Sequence, residues 1–358
     1  MRSSAPYLNP SEAARRLGVS AKALRLYEQR GLLEPVRTSA GWRAYGPDEM
    51  ARASEIVGLR ALGFSLAQVG RVLKGDAQGL EQTLAVHQKA LEAQLRQLAH
   101  TAQKVRDLRS DVAQGRTPTL TELAGLLAPV SSTVSAAFDL PWPWGGERFE
   151  WRGMRSLNYI VGPLGSGKTR LAQRLAEALP HAAWLGLERL EDGGAAARSK
   201  LDNDPLLRAR VDEAMAWLVE DGAVPSDALV ALLAALEAEG PAAFVVDMIE
   251  QGLAQATQEA LMAWLRGRGP GARPIFMLTR SCAILDLAAV GADEAIVLCP
   301  ANHSPPTQVA PYPGAPGYEA VATCLASPEV RARTAGVIAW RPPVVATCPA
   351  PAPPARTA

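Results

Sequence analysis

Eight consecutive residues, Gly162-Pro163-Leu164-Gly165-Ser166-Gly167-Lys168-Thr169, have the composition of a phosphate cradle. Glycines let successive backbone N–H groups curl around phosphate oxygens, the lysine reaches the β- and γ-phosphates, and the hydroxyl after it suits Mg²⁺. Such a motif needs a strand before it and a helix after it. Both are legible: Ser156–Val161 is apolar and β-prone, and Arg170–Leu179 has helical spacing. A second apolar run, Ala242–Val246, ends in Asp247, where a carboxylate can hold Mg²⁺ through water. These eight loop residues and Asp247 form the candidate nucleotide-binding set. ATP is the expected cofactor, with Mg²⁺ held through Thr169 and Asp247.

A different chemistry gathers at the other end. Residues 1–75 hold twelve Lys/Arg against six Asp/Glu, a local charge of +6 in a chain whose net charge is +1. That surface is either a dock for a polyanion or a solvated basic face. Short, well-punctuated elements carry it. Asn9 can cap a helix beginning at Pro10, with Glu12 three residues after the cap. Gly18-Val19-Ser20 turns the chain, and Ser20 can cap a second helix over Ala21–Arg30 that stops at Gly31. Two short helices around a tight glycine turn, the second one basic, make a helix-turn-helix pattern. Glu34–Tyr45 reads as a hairpin turning at Ser39-Ala40-Gly41, a wing beside the second helix. Gly46-Pro47-Asp48-Glu49 starts a third helix, and Ser65-Leu66-Ala67-Gln68 is a capping box for a fourth.

Between these ends, Leu80–Val112 contains no proline or interior glycine. Leu84, Leu91, Leu98, Val105 and Val112 recur every seven residues, while His87, Gln94 and Thr101 interrupt the companion row of Leu80 and Leu108. The spacing fits a modest two-stranded coiled coil, or a single amphipathic helix packed on its own domain. The expected fold class is multidomain: an all-α winged helix-turn-helix with a dimerising coiled-coil helix, plus an α/β P-loop nucleotide-binding domain. The expected boundaries are 1–78 for the head, 79–114 for the dimerisation helix and 115–146 for a Pro-bearing linker with a short helix at Leu120–Leu127. The P-loop domain follows at 147–340, then a disordered Pro/Ala-rich tail at 341–358.

Composition excludes several classes. No run of about 20 apolar residues free of charge exists, so no membrane span is expected, and the N-terminus lacks the apolar core of a signal peptide. The cysteines, Cys282, Cys299, Cys324 and Cys348, form no CxxC pair. That argues against a zinc finger or a disulfide framework and fits a reducing cytoplasm. Cys282 and Cys299 are either buried structural thiols or redox-active ones.

The stretch Leu24-Arg25-Leu26-Tyr27-Glu28-Gln29-Arg30-Gly31-Leu32-Leu33-Glu34-Pro35 resembles the recognition helix and exit of the MerR family of bacterial transcription regulators. Gly41-Trp42-Arg43-Ala44-Tyr45 resembles that family's wing, with Trp42 where Tyr or Phe is usual, and Leu62-Gly63-Phe64-Ser65-Leu66 resembles its second helical pair. The resemblance implies a homodimer clamped by an antiparallel coiled coil. It would bind and distort promoter DNA with an overlong spacer, meeting RNA polymerase indirectly there. Carried over by position, Lys22, Arg25 and Tyr27 would face DNA from the second helix, and Arg37, Arg43 and Tyr45 would contact its backbone from the wing. For Tyr27 and Tyr45 a core role is an equal alternative. Metal-sensing members carry cysteines around the dimer helix; here only His87 and His100 lie there, so no metal-sensing site is expected.

Beyond the P-loop, Glu250-Gln251-Gly252-Leu253 and Thr279-Arg280-Ser281 resemble the segments after Walker B and at the switch of ABC-type ATPases, and Ser226–Leu233 lies where their signature helix begins. The departures concern catalysis. Met248 replaces the usual glutamate after Asp247, Arg280 replaces the switch histidine, and Ala254 replaces an aspartate. Methionine cannot serve as a base, so Glu250 is a substitute candidate only where the loop brings it over the γ-phosphate, and hydrolysis, if it occurs, is slow. The expectation is a cytoplasmic, nucleoid-associated, sequence-specific regulator tuned by ATP binding. The alternatives are an ABC-like ATPase doing DNA-associated mechanical work with the helix-turn-helix as a targeting arm, and a scaffold with a vestigial nucleotide site.

Overall fold

The computed structural model describes residues 7–76, 80–117, 119, 136–269, 271–327 and 330. Its first helix starts on a closed capping box: Asn9 accepts from the Glu12 amide while the Glu12 carboxylate accepts from the Asn9 amide. That helix, α1 (Pro10–Leu17), ends at Gly18, whose φ of +68° is left-handed. Ser20 then caps α2 (Ala21–Gln29). Strands β1 (Val36–Arg37) and β2 (Arg43–Ala44) pair antiparallel, with Arg37 opposite Arg43. Helices α3 (Pro47–Ala61) and α4 (Leu66–Val72) close the head over a small core that includes Leu24, Tyr27, Leu33, Tyr45, Ile56, Phe64 and Val69. Helix α5 (Leu80–Ala113) follows as a rod of 34 residues. Leu84, Leu91, Leu95, Val105 and Val112 on it are exposed.

The C-terminal half begins with a hairpin, β3 (Ala136–Asp139) and β4 (Arg148–Trp151), and continues through β5 (Leu157–Val161), α6 (Lys168–Ala178) and β6 (Ala182–Leu185). Then come α7 (Ala195–Asn203), α8 (Pro205–Glu220), α9 (Asp227–Leu236), β7 (Ala243–Val246), α10 (Gln255–Gly267) and β8 (Ile275–Leu278). The last elements are β9 (Glu294–Leu298), β10 (Thr307–Val309) and α11 (Tyr318–Cys324). Six strands form one sheet in the order β10-β9-β5-β8-β7-β6, parallel throughout except for antiparallel β10. Side chains alternate across it, as a period of two requires. Tyr159, Phe244, Met277 and Ile296 point into a core shared with α8, α9 and α10; Ile160, Val245, Phe276 and Val297 point into another shared with α6 and the hairpin. Both faces are covered, which is why these strands read as unbroken apolar runs.

One expected boundary moves. Residues 136–146, assigned to the linker, belong to the C-terminal body: Phe138, Leu140 and Trp144 are buried with Leu171 and Leu175 of α6. Pro141 and Pro143, two of the prolines that suggested a linker, sit in the loop of a hairpin whose apolar residues fill one core. The expected helix at Leu120–Leu127 and the tail at 341–358 lie outside the described residues, as does 331–340.

Candidate functional site

The loop 162–169 leaves the C-terminal end of β5 and enters α6, in the middle of the parallel sheet. Its glycines have separate reasons. A Cβ on Gly162 would lie 2.4 Å from the Cys299 carbonyl oxygen, so β9 approaches too closely for any side chain. Gly165 and Gly167 sit at φ +79° and +87°, in left-handed territory. Lys168 is 9% exposed and its Nζ donates to the carbonyls of Gly162 and Pro163, both at 2.7 Å. Burial holds its ammonium below the ordinary lysine pKa.

Strand β8 separates β5 from β7, yet the end of β7 reaches the loop: the Thr169 hydroxyl donates to Asp247 Oδ2 at 3.2 Å. Burial pushes the Asp247 carboxyl up, against the hydrogen bond from Thr169 and the charges of Arg189 and Lys168. A buried ammonium, a hydroxyl and a carboxylate thus converge at the C-terminal edge of the strands, where ligands of open α/β sheets bind. The set suits a polyphosphate with a divalent cation. Pro163, Leu164, Ser166 and the three glycines complete the loop, with Leu164 79% exposed at its tip.

Three further groups lie about the loop, of which Arg189 and an aromatic pair escaped sequence reading. The Arg189 guanidinium donates to the carbonyls of Gly186 (2.6 Å), Asp247 (2.9 Å) and Met248 (2.9 Å), which pins the turn after β7. Met248 in that turn has φ +46°, an uncommon conformation for a residue with a side chain. Glu250, the candidate base, is buried and its Oε1 accepts from the Arg280 amide at 3.0 Å. It therefore ties the turn after β7 to the segment after β8. The third group is aromatic. A Cβ on Gly167 would meet the Trp144 ring at 2.7 Å and Pro143 at 2.9 Å, so the Pro141–Trp144 loop lies against the cradle. Beside it, Trp142 is 73% exposed with the Arg170 guanidinium 5.4 Å from its ring centroid. The alternation Pro141-Trp142-Pro143-Trp144 was the available signal for this loop. Arg189 had none, since its contacts depend on how distant strands are ordered. Cys299 is buried and its thiol is pushed up to about 12 by desolvation, which makes it an inert structural thiol at neutral pH.

In the head, Arg37 and Arg43 face each other across the wing, and Arg37 Nη1 donates to the Gly41 carbonyl at 3.1 Å. Arg43 Nε lies 2.7 Å from Glu28 Oε2, and the same carboxylate group takes the Tyr45 hydroxyl. Tyr45 and Tyr27, for which DNA contact and a core role stood as equal alternatives, are buried in the head's core, and burial raises the pKa of each. Their rings hold α2 against the wing, which leaves Lys22, Arg25, Arg37 and Arg43, none of them buried, as the remaining cations of the expected set. Lys22 and Arg25 sit on α2, where Lys22 Nζ is 2.8 Å from Glu259 of the C-terminal body.

Residues 8–76 match the model of the MerR HTH family regulatory proteins. A "Probable heavy metal-dependent transcriptional regulator" of Haemophilus influenzae is 33% identical over 126 residues, 33% of this chain and 98% of that protein. The "HTH-type transcriptional regulator ZntR homolog" of the same organism is 33% identical over 103 residues, 27% of this chain and 76% of that protein. Among solved structures, HiNmlR, described as a MerR family regulator lacking the sensor domain and bound to promoter DNA, is 24% identical. It matches 31% of this chain and 97% of its own, with a TM-score of 0.24.

Proposed function

The chain belongs to the MerR helix-turn-helix family of regulatory proteins, and on that premise we propose that its C-terminal half is a nucleotide-binding P-loop domain that tunes promoter binding by the head. The head is the transcription-regulating part. Lys22 and Arg25 on α2 would meet DNA in the major groove, and Arg37 and Arg43 on the wing would meet its phosphates. The relatives named as transcriptional regulators support a DNA duplex as the partner. The exposed apolar row of α5 supports a homodimer, since an apolar stripe of this kind is stable only against a second surface. RNA polymerase would be met indirectly at the promoter, in the cytoplasm and on the nucleoid. Among the described residues no helix is long and apolar enough to cross a membrane. The heavy-metal dependence named for one relative is not carried over, because every cysteine lies beyond residue 281.

The observation that carries the nucleotide reading is the 3.2 Å contact of Thr169 with Asp247 beside buried Lys168. When bound, ATP would bring a polyphosphate whose charge Lys168 and the loop amides complement, and Mg²⁺ would sit between Thr169 and Asp247. The exposed Trp142 offers a face for a base. Hydrolysis would be slow or absent: Met248 holds no proton, and Glu250 is engaged with the Arg280 backbone. The mechanical ATPase alternative lacks the base it requires. The test is titration of a fluorescent ATP analogue with and without Mg²⁺, followed by promoter retardation with and without ATP. Saturable, Mg²⁺-dependent binding that shifts the retardation supports the reading; identical retardation in both conditions refutes the tuning.

A further inference from the structure

Three carboxylates of the C-terminal body hold the head by its cations. Asp221, 4% exposed at the end of α8, accepts two bonds from Arg60 (2.6 and 3.1 Å) and one from the Leu66 amide (2.8 Å), while its carbonyl accepts from Arg30 Nη2 at 2.9 Å. Glu220 accepts from the Ser65 hydroxyl at 2.8 Å and from Arg71 at 3.3 Å. Trp217, one turn earlier, donates its indole N–H to the Gly63 carbonyl at 3.2 Å and lies under Arg60, 5.6 Å from the guanidinium. Gly222 completes the fit: a Cβ there would come within 1.6 Å of Arg30 Nη2. The third carboxylate, Glu259 on α10, takes Lys22 at 2.8 Å. Around that ion pair, Lys22, Arg25, Leu26 and Gln29 of α2 and Gln255 and Glu259 of α10 enclose a cavity of about 320 Å³.

We propose that this acidic surface is an intramolecular competitor for DNA, gripping the same face of α2 that enters the duplex. The proposal rests on the reading that Lys22 and Arg25 face DNA. A helix with its side chains is about 10–12 Å across and the major groove is about 12 Å wide. With α10 lying on the Lys22 and Arg25 side, α2 has no room to enter the groove, and the Glu259 carboxylate stands where Lys22 would meet a phosphate. Docked and DNA-bound arrangements therefore exclude each other, and the apparent affinity for DNA falls by the fraction of molecules that are undocked.

The gripping helix is also tied to the candidate cradle. Gln258, adjacent to Glu259, accepts from the Ser281 hydroxyl at 2.6 Å and donates to the Leu253 carbonyl at 2.8 Å. Thr257 accepts from the Val224 amide at 2.9 Å, just beyond Asp221 and Gly222. One flank of α10 touches the segments after β7 and β8; the other touches the reading helix. It is a single element that both sites can bias.

The test uses the full-length chain and a random-sequence 40-base-pair duplex at roughly 50 mM salt, where non-specific binding is measurable. Glu259→Gln should bind more tightly, but removing an acid near DNA does so by charge alone. Trp217→Phe and Gly222→Ala change no charge, and each is expected to tighten binding about fivefold by freeing the head. Hydrogen exchange on the unaltered protein provides a readout independent of any variant's folding. Saturating duplex should deprotect the Leu66 amide, which Asp221 holds across the contact, while α3 and the core-packed α10 stay protected. Equal protection with and without duplex, or unchanged affinity in both charge-neutral variants while Lys22→Gln weakens binding, overturns the competition and leaves the DNA face intact. Unchanged affinity in both Lys22→Gln and Arg25→Gln instead removes the DNA-face reading, and the competition with it.

Discussion

The N-terminal head offers its cations on the surface of two-turn helices and a tight hairpin, whereas the C-terminal body buries a single lysine in a glycine-rich loop at the centre of a sheet. The two regions answer the same demand, a positive charge for a phosphate, under opposite conditions. Exposed cations act through counterion release, so their contribution is spread over many residues and is screened by salt. A buried ammonium is desolvated in advance and held by two carbonyls, so its contribution is concentrated and weakly screened. Deleting one group should therefore be severe in the body and mild in the head.

Lys168→Ala is the largest expected break. Loss of the ammonium buried in the cradle should weaken ATP-analogue binding roughly a hundredfold, about 2.7 kcal/mol, with little dependence on salt. Titration of the variant by fluorescence at low and high salt measures it. A loss below tenfold would mean that the loop amides alone bind the phosphates. The head's helices should persist in the variant, since its core shares no residue with the loop.

Legibility divides along the same line. In the head, the helix caps pair with near neighbours: Asn9 with Glu12, Ser20 with Ala23, Ser65 with Gln68. Such pairs appear as spacings, so α1, α2 and α4 and the wing were readable. In the body, the loop 162–169 and the apolar strand before Asp247 were readable, because glycine chemistry and burial leave local marks. Arg189, Glu250 and Trp142 were not assigned their observed places, because each depends on which strands become neighbours. The hairpin β3–β4 was hidden by its prolines, and Tyr27 and Tyr45 stood undecided between DNA and core because a tyrosine beside arginines has the same composition in a core as on a surface. Nothing in the local sequence pairs Asp221 with Arg60, 161 residues apart.

The pH profile of nucleotide binding sharpens the contrast at intermediate size. Asp247 must be ionised to hold Mg²⁺, and its carboxyl is raised by burial. The Mg²⁺-dependent part of affinity is therefore present above that raised value and lost as pH falls through it, earlier than for an ordinary aspartate near 3.9. Lys168 must be protonated, and burial lowers its value, so affinity also declines at alkaline pH before an ordinary lysine near 10.4 would deprotonate. Asp247→Asn should erase the acid limb and keep the alkaline one. An acid limb that survives this substitution assigns the titration to another group.

In the head, Arg37→Ala and Arg43→Ala should each weaken duplex binding about fivefold and lower the salt slope of log affinity by about one, uniformly across sequences. Arg43 is the sharper case, because the variant also takes from Glu28 the guanidinium that shares its carboxylate with the Tyr45 hydroxyl. A slope that stays constant in both variants would place the wing away from the phosphates and leave α2 to carry the electrostatics.

The smallest effects compare two caps of the same kind. Asn9→Ala removes a cap that touches nothing beyond its own turn and should cost about 1 kcal/mol in the head's unfolding free energy. Ser65→Ala removes an equivalent cap on Gln68 together with the hydroxyl bond to Glu220. It should cost about 1 kcal/mol more, the net worth of one hydrogen bond to a charged group that is partly exposed. Denaturant titration of the full-length variants, followed by helix signal, measures the difference. The excess for Ser65 exists only while the head is docked on α8. If DNA and the body compete for the head, the excess should disappear when the same titration is run with saturating duplex, whereas the Asn9 cost should not change. An excess that persists on DNA would mean that the head binds the duplex without leaving the body.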